Sequence, residues 1–166
     1  MERGYRFLEH ATDAVVEAEG KSMREAFAAA ADATVDLTLD RGSVAECDYV
    51  EIRAEGEDLS YLLYGWLEEV IFALITRGFA IRRVEIDEGA SSDLDAAAAT
   101  AGGGSSSSSS SSSSATDPLT IRARAYGEPL DLGRHGFKVE IKAPTFHEMS
   151  IRRSEAGASV RFLLDL

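Results

Sequence analysis

The stretch DLSYLLYGWLEEVIFALITRG, residues 58–78, decides the architecture. Leu59, Leu62, Leu63, Trp66, Leu67, Val70, Ile71 and Leu74 hold the 3,4,3,4 spacing of a helix with one buried stripe. Asp58 stands where an N-cap oxygen takes up orphan N–H groups, and Gly78 where a helix stops in the left-handed conformation. Trp66 therefore belongs to the core. Spanning a bilayer takes roughly 20 apolar residues. Glu68 and Glu69 interrupt this run, so it reads as a core helix and no membrane association is expected.

Outward from this helix, Tyr49 to Ala54 precedes it and Phe79 to Asp87 follows it as strand patterns. A further helix starts at Ser22-Met23-Arg24-Glu25, where Ser22 caps the first N–H groups and Glu25 reaches back as a capping box. It runs to about Leu37, with Met23, Phe27, Ala30, Ala31 and Thr34 on one face, and its small residues predict close packing on a sheet. Tyr5 to Leu8 and Ala14 to Glu19 are short extended stretches. Leu119, Ile121, Ala123 and Ala125 alternate with polar residues, as do Val139, Ile141 and Ala143. At the end, Val160, Phe162, Leu164 and Leu166 share one face, and Arg161, Leu163 and Asp165 the other. Two main helices among six to eight strands predict an α+β fold with a largely antiparallel sheet or sheets carrying the helices.

Ala96 to Ala115 is an alanine run, three glycines and a serine tract. Such sequence has nothing to bury against the entropy of ordering it. The expectation is a single domain over residues 1–166, interrupted at about 91–116 by a flexible, passive insertion.

The net charge of −12, from 29 acidic and 17 basic residues, argues against a protein that grips nucleic acid strongly by itself. Lysine occurs only at Lys21, Lys138 and Lys142. An acidic, lysine-poor surface suits a salt-rich cytoplasm, where charges are screened within about 3 Å at 1 M salt, and a halophilic source is the expectation. The opening Met1-Glu2-Arg3-Gly4 has no apolar signal region, so a cytoplasmic protein is expected. The lone Cys47 reads as a small filler near a strand end.

There is no Walker loop, G-x-G-x-x-G, H-E-x-x-H, G-x-S-x-G or C-x-x-C motif. His10, His135 and His147 are scattered and read singly as surface or hydrogen-bonded residues. Three local clusters remain. Glu9-His10-Ala11-Thr12-Asp13 is either a turn or a carboxylate site for a hard divalent cation or a partner. Asp165 beside the terminal Leu166 places two negative charges at the end of an apolar strand: either a solvated end or a pair whose repulsion a cation relieves. Lys142-Ala143-Pro144-Thr145-Phe146-His147-Glu148-Met149 is an edge kink at Pro144 with a solvated lysine, or a partner contact.

Together these segments resemble the archease family. Tyr5 and Phe7-Leu8-Glu9-His10-Ala11-Thr12-Asp13 are similar to its opening Y-x-x-L-D-H-T-A-D, and Gly20-Lys21-Ser22-Met23-Arg24-Glu25-Ala26-Phe27 to G-x-T-L-E-E-A-F. Gly56-Glu57-Asp58-Leu59 with Leu62-Leu63-Tyr64-Gly65-Trp66-Leu67-Glu68-Glu69 resembles G-x-D-L-x-x-L-L-x-x-W-L-x-E. Lys142-Ala143, Thr145-Phe146-His147 and Met149 resemble V-K-A-x-T-Y-H-x-M, and Leu164-Asp165-Leu166 the ending D-I. The chain departs from the pattern at Glu9 for Asp, at the reversed Ala11-Thr12, at Pro144 for an apolar residue, and in the insertion.

The resemblance implies an archease fold and a non-catalytic role. The protein would activate the GTP-dependent RNA ligase of the RtcB type, promoting ligase guanylylation and multiple turnover in tRNA splicing. It implies a metal site at Asp13 and Asp165 with Leu166 nearby, Glu9 and His10 as additional site residues, and Lys142 in partner activation. Ca²⁺ is the expected ion, with Mn²⁺ or Mg²⁺ as alternatives. The acidic pair would either deliver metal or dock into the ligase's electropositive nucleotide pocket. Two other readings are a general chaperone or scaffold, and a metal-dependent phosphoester hydrolase.

Overall fold

The structure is a computed structural model that describes residues 2–8, 13–89, 94–98 and 118–166. Among the described residues, seven strands form two antiparallel sheets. The first, in the order β1-β2-β7-β6, joins Gly4–Leu8, Asp13–Gly20, Gly157–Asp165 and Ala143–Ser154. The second, in the order β3-β5-β4, joins Asp48–Gly56, Leu119–Pro129 and Phe79–Ile86. Helix α1 is Met23–Thr38, and helix α2 is Leu59–Ile71.

Helix α1 is buried along most of its length, and alanines fill its middle at 26, 28–31 and 33. Small side chains let both sheets and α2 approach one helix at once. Val16 and Ala18 of β2, with Val160, Phe162 and Leu164 of β7, enter this core from one side. Ile52, Ala54, Ile121, Ala123 and Ala125 enter it from the second sheet. Both caps are where the sequence predicts them: the Ser22 side chain accepts from the Glu25 N–H, and Asp58 from the Tyr61 N–H. Trp66 is fully buried, and its indole N–H donates to the Phe27 carbonyl at 2.9 Å, tying α2 to α1.

Helix α2 continues into a π turn, Phe72–Thr76, closed by Arg77 N–H to the Phe72 carbonyl, and Gly78 follows at φ +60°. Counted through that turn, Leu59–Thr76 is one helix long and apolar enough to cross a membrane by length and composition. The core helix of a folded domain meets the same measure of length and composition. The stripe of Leu62, Leu63, Trp66, Leu67 and Val70 is buried in the core.

Three expectations are corrected. Residues 139–142 are not strand: Ile141 is buried, but the backbone is held only at points, by Lys138 N–H to Thr38 and Lys142 N–H to Asp165. Cys47 does sit beside a strand end but is exposed rather than filling space. Within the segment expected to be passive, residues 94–98 are helical, with Leu94 buried. Asp95 accepts from the Met23 N–H at 3.1 Å, and its carbonyl accepts from Arg153. One leucine and one aspartate among small residues show no periodicity, so their docking is invisible until α1 and β6 are in place.

Candidate functional site

Asp13 opens β2 and Asp165 ends β7, and the ladder sets the two directly opposite each other. Ala14, Val16 and Ala18 point into the core, so alternation turns Asp13 to the outer face of the sheet, and Asp165 shares that face. Side chains directly opposite in such a ladder stand about 5 Å apart at Cβ. Asp165 is exposed and Asp13 half-buried. On its other side Asp165 faces Ala143, the first residue of β6, and its carbonyl accepts from the Lys142 N–H at 2.9 Å. Leu166 is half-buried against the core. The structure thus brings Asp13, Asp165 and Lys142 to one corner, whereas Glu9 and His10 lie outside the described residues.

The two carboxylates fit a hard divalent cation in kind, because opposed like charges repel and a cation between them relieves that. They do not complete a shell, since Ca²⁺ takes about six to eight oxygens. Among the described residues no group of three or more His, Cys, Asp or Glu is arranged to hold a metal.

The rest of the outer face is layered. Next to the acidic row, Leu8, Val15 and Leu163 form an apolar row across β1, β2 and β7. Beyond it runs an ion ladder: Arg6 Nε bonds Glu17 at 2.7 Å, and Arg161 lies 3.5 Å from Glu17 and 3.8 Å from Glu148. This ladder couples all four strands of the sheet that presents the acidic pair.

Two polar centres were not singled out from the sequence. Asp32, in the alanine face of α1, is buried between Arg3 and Arg41, whose Nη1 lies 2.9 Å away. Burial pushes the Asp32 carboxyl above its ordinary range while the two arginines oppose that. Beside it, Tyr5 donates to Asp36, and its pKa is pushed up to about 12, first by burial and then by that carboxylate. The second centre is His135, fully buried, with Nδ1 accepting from the Asp131 N–H and Nε2 2.8 Å from Glu128. Because Nδ1 accepts, Nε2 carries the proton and donates. That bond, with the Ala45 N–H, holds the Glu128 carboxyl below its ordinary range. An aspartate inside an alanine stripe is a readable sign of a buried ion pair. Its partners, 29 residues before it and nine after it, are not.

The family model of the archease protein family matches residues 5–166. A protein archease of Pyrobaculum islandicum is 31% identical over 164 residues, covering 98% of this chain and 95% of the relative. One from Methanopyrus kandleri is 32% identical over 159 residues, covering 96% of each. The solution structure of a Methanobacterium thermoautotrophicum protein superposes with a TM-score of 0.68 at 28% identity, over 98% of this chain and 99% of that one. The crystal structure of a Thermotoga maritima protein, described as an archease and possible chaperone, shares the fold at a TM-score of 0.53 and 16% identity, over 96% and 94%. These matches run the length of the two-sheet fold and its acidic corner, and the chain belongs to the archease family.

Proposed function

We propose that this chain is a non-catalytic, cytoplasmic activator of the GTP-dependent RNA ligase of the RtcB type, acting through the corner of Asp13, Asp165 and Lys142. The observation that carries this reading is the register that opposes Asp13 to Asp165, with the Lys142 backbone N–H donating to the Asp165 carbonyl. Two carboxylates on neighbouring strands, with exposed Lys142 next to Asp165 along the backbone, make a charged tip. Such a tip suits either a shared divalent cation, Ca²⁺ or else Mn²⁺ or Mg²⁺, or an electropositive pocket on the partner. Hydrolysis of phosphoesters is the weaker reading, because two-metal chemistry needs more ligands and a placed base.

The test is a ligation time course with substoichiometric ligase, GTP, Mn²⁺ and cleaved tRNA halves. Conversion of a single-turnover burst into sustained turnover supports the reading, with Asp13→Ala and Asp165→Ala inactive though folded. No change with an active ligase from the same source refutes it. A general chaperone is the second reading, favoured by exposed Tyr61, Phe72 and Phe146. Its sign is protection of unrelated clients from aggregation, independent of Asp165.

A further inference from the structure

The outer face of α2 carries exposed aromatic residues where solvent should favour polar ones. Tyr61 is 54% exposed and Phe72 48%, and both lie with Glu68 on one side of the helix at helical spacing. Tyr61 and Tyr64 meet Phe146 of β6, itself 46% exposed: Tyr64 stacks on it at 4.3 Å and Tyr61 meets it edge-on at 5.1 Å. The helix is flanked by β3 and β6, both edge strands of their sheets. This aromatic surface therefore lies between two sheet edges.

Strand β6 departs from regular pairing at this point. Thr145 pairs with Leu163 and Ser150 with Arg161, so residues 146–149 stand opposite one residue of β7. Within this arch Glu148 takes φ 57°, the one left-handed residue other than glycine among those described. Side chains adopt that conformation at a cost, and such positions cluster where a ligand or partner is engaged. The arch also prevents a second strand from extending the sheet along this edge.

The charges say what covers the surface. Glu57 and Asp58 at the start of the helix border it, Glu68 lies between Tyr61 and Phe72, all three are exposed, and the whole chain carries −12. A second copy or a nucleic acid would bring like charge to like. An aromatic centre within a charged rim is the anatomy of a protein interface. We infer that the aromatic surface of Tyr61, Tyr64, Phe72 and Phe146 is the docking face for a protein partner with an apolar centre and a basic rim. The inference rests on the ligase reading, since an enzyme that holds RNA phosphates has a basic surface. It adds a hydrophobic anchor to the charged tip: Phe146 lies on β6 three residues after Ala143, and Lys142 immediately precedes that strand.

The experiment measures binding of the full chain to the ligase from the same source by interferometry, with turnover assayed in parallel. Tyr61→Arg and Glu68→Lys are expected to weaken binding at least tenfold while melting like the wild type. Phe146→Ala removes a stacked ring, so if it unfolds, the two surface variants carry the test. Wild-type affinity in both, with the wild type still stimulating ligation, overturns the docking face and leaves the activator function standing. A wild type that neither binds nor stimulates overturns both. Concentration-dependent dimers abolished by Tyr61→Arg, or flotation of the wild type with phosphatidylglycerol vesicles, assign the face to another occupant and overturn the inference.

Discussion

Asp13 and Asp165 face each other across the β2–β7 ladder, one half-buried and one exposed, on the sheet face turned away from the helices. Like charges so placed destabilise a sheet by about 0.2–1 kcal/mol. The pair ends the two central strands of its sheet, and the cation of the proposed function would sit between them.

Asp165→Asn should therefore melt slightly higher than the wild type in a chelating buffer. Millimolar Ca²⁺ should raise the melting temperature of the wild type and leave that of the variant unchanged. A variant that responds to Ca²⁺ as the wild type does would remove Asp165 from the proposed metal site.

Alkaline stability should depend on Tyr5. Its folded pKa of about 12 exceeds the ordinary 10.0, so between those values the folded state holds a proton that the unfolded state has lost. The Tyr5 contribution is then constant below pH 10 and declines as pH rises through the window up to about 12. Urea titrations across that range should show a shallower decline in Tyr5→Phe, and an identical slope would count against the Tyr5–Asp36 bond.

Acid stability should depend on Glu128. Its carboxyl is held below the ordinary range by His135 and the Ala45 N–H, so its contribution is present above that range. The contribution is lost as pH falls through the depressed folded value. Glu128→Gln should lower stability at neutral pH and flatten the acid limb of the unfolding curve. A variant with an unaltered acid limb would show that other carboxylates govern it.

Gly127 is a steric test of the second sheet. A Cβ there would stand 1.8 Å from the Ala80 carbonyl oxygen, next to the register shift between Ile81 and Arg83. Backbone cannot yield as a flexible side chain does, so Gly127→Ala should lose about 1–3 kcal/mol or more in denaturant unfolding. At Gly65 the nearest atom would be 3.3 Å away, and the same substitution should cost far less.

Both long helices, their caps and most strands were readable because each rests on local periodicity or on a side chain meeting N–H groups three residues away. The acidic and lysine motifs were readable as residues because they lie in short runs that resemble family patterns. Residues 139–142 misled because alternation over so few residues imitates a strand, whereas Ile141 is buried from a coil.

By itself the sequence determined the element types, the family and the candidate residues, since these follow from spacing and composition along the chain. Only the tertiary structure decided that Asp13 opposes Asp165, that Lys142 reaches the same corner, and that Phe146 stacks on Tyr64. It also paired Asp32 with Arg3 and Arg41, and His135 with Glu128. The physical reason is that sheet register and helix docking are set by burying the apolar faces of both sheets around α1. That global constraint fixes which distant polar groups meet, and no local pattern encodes it.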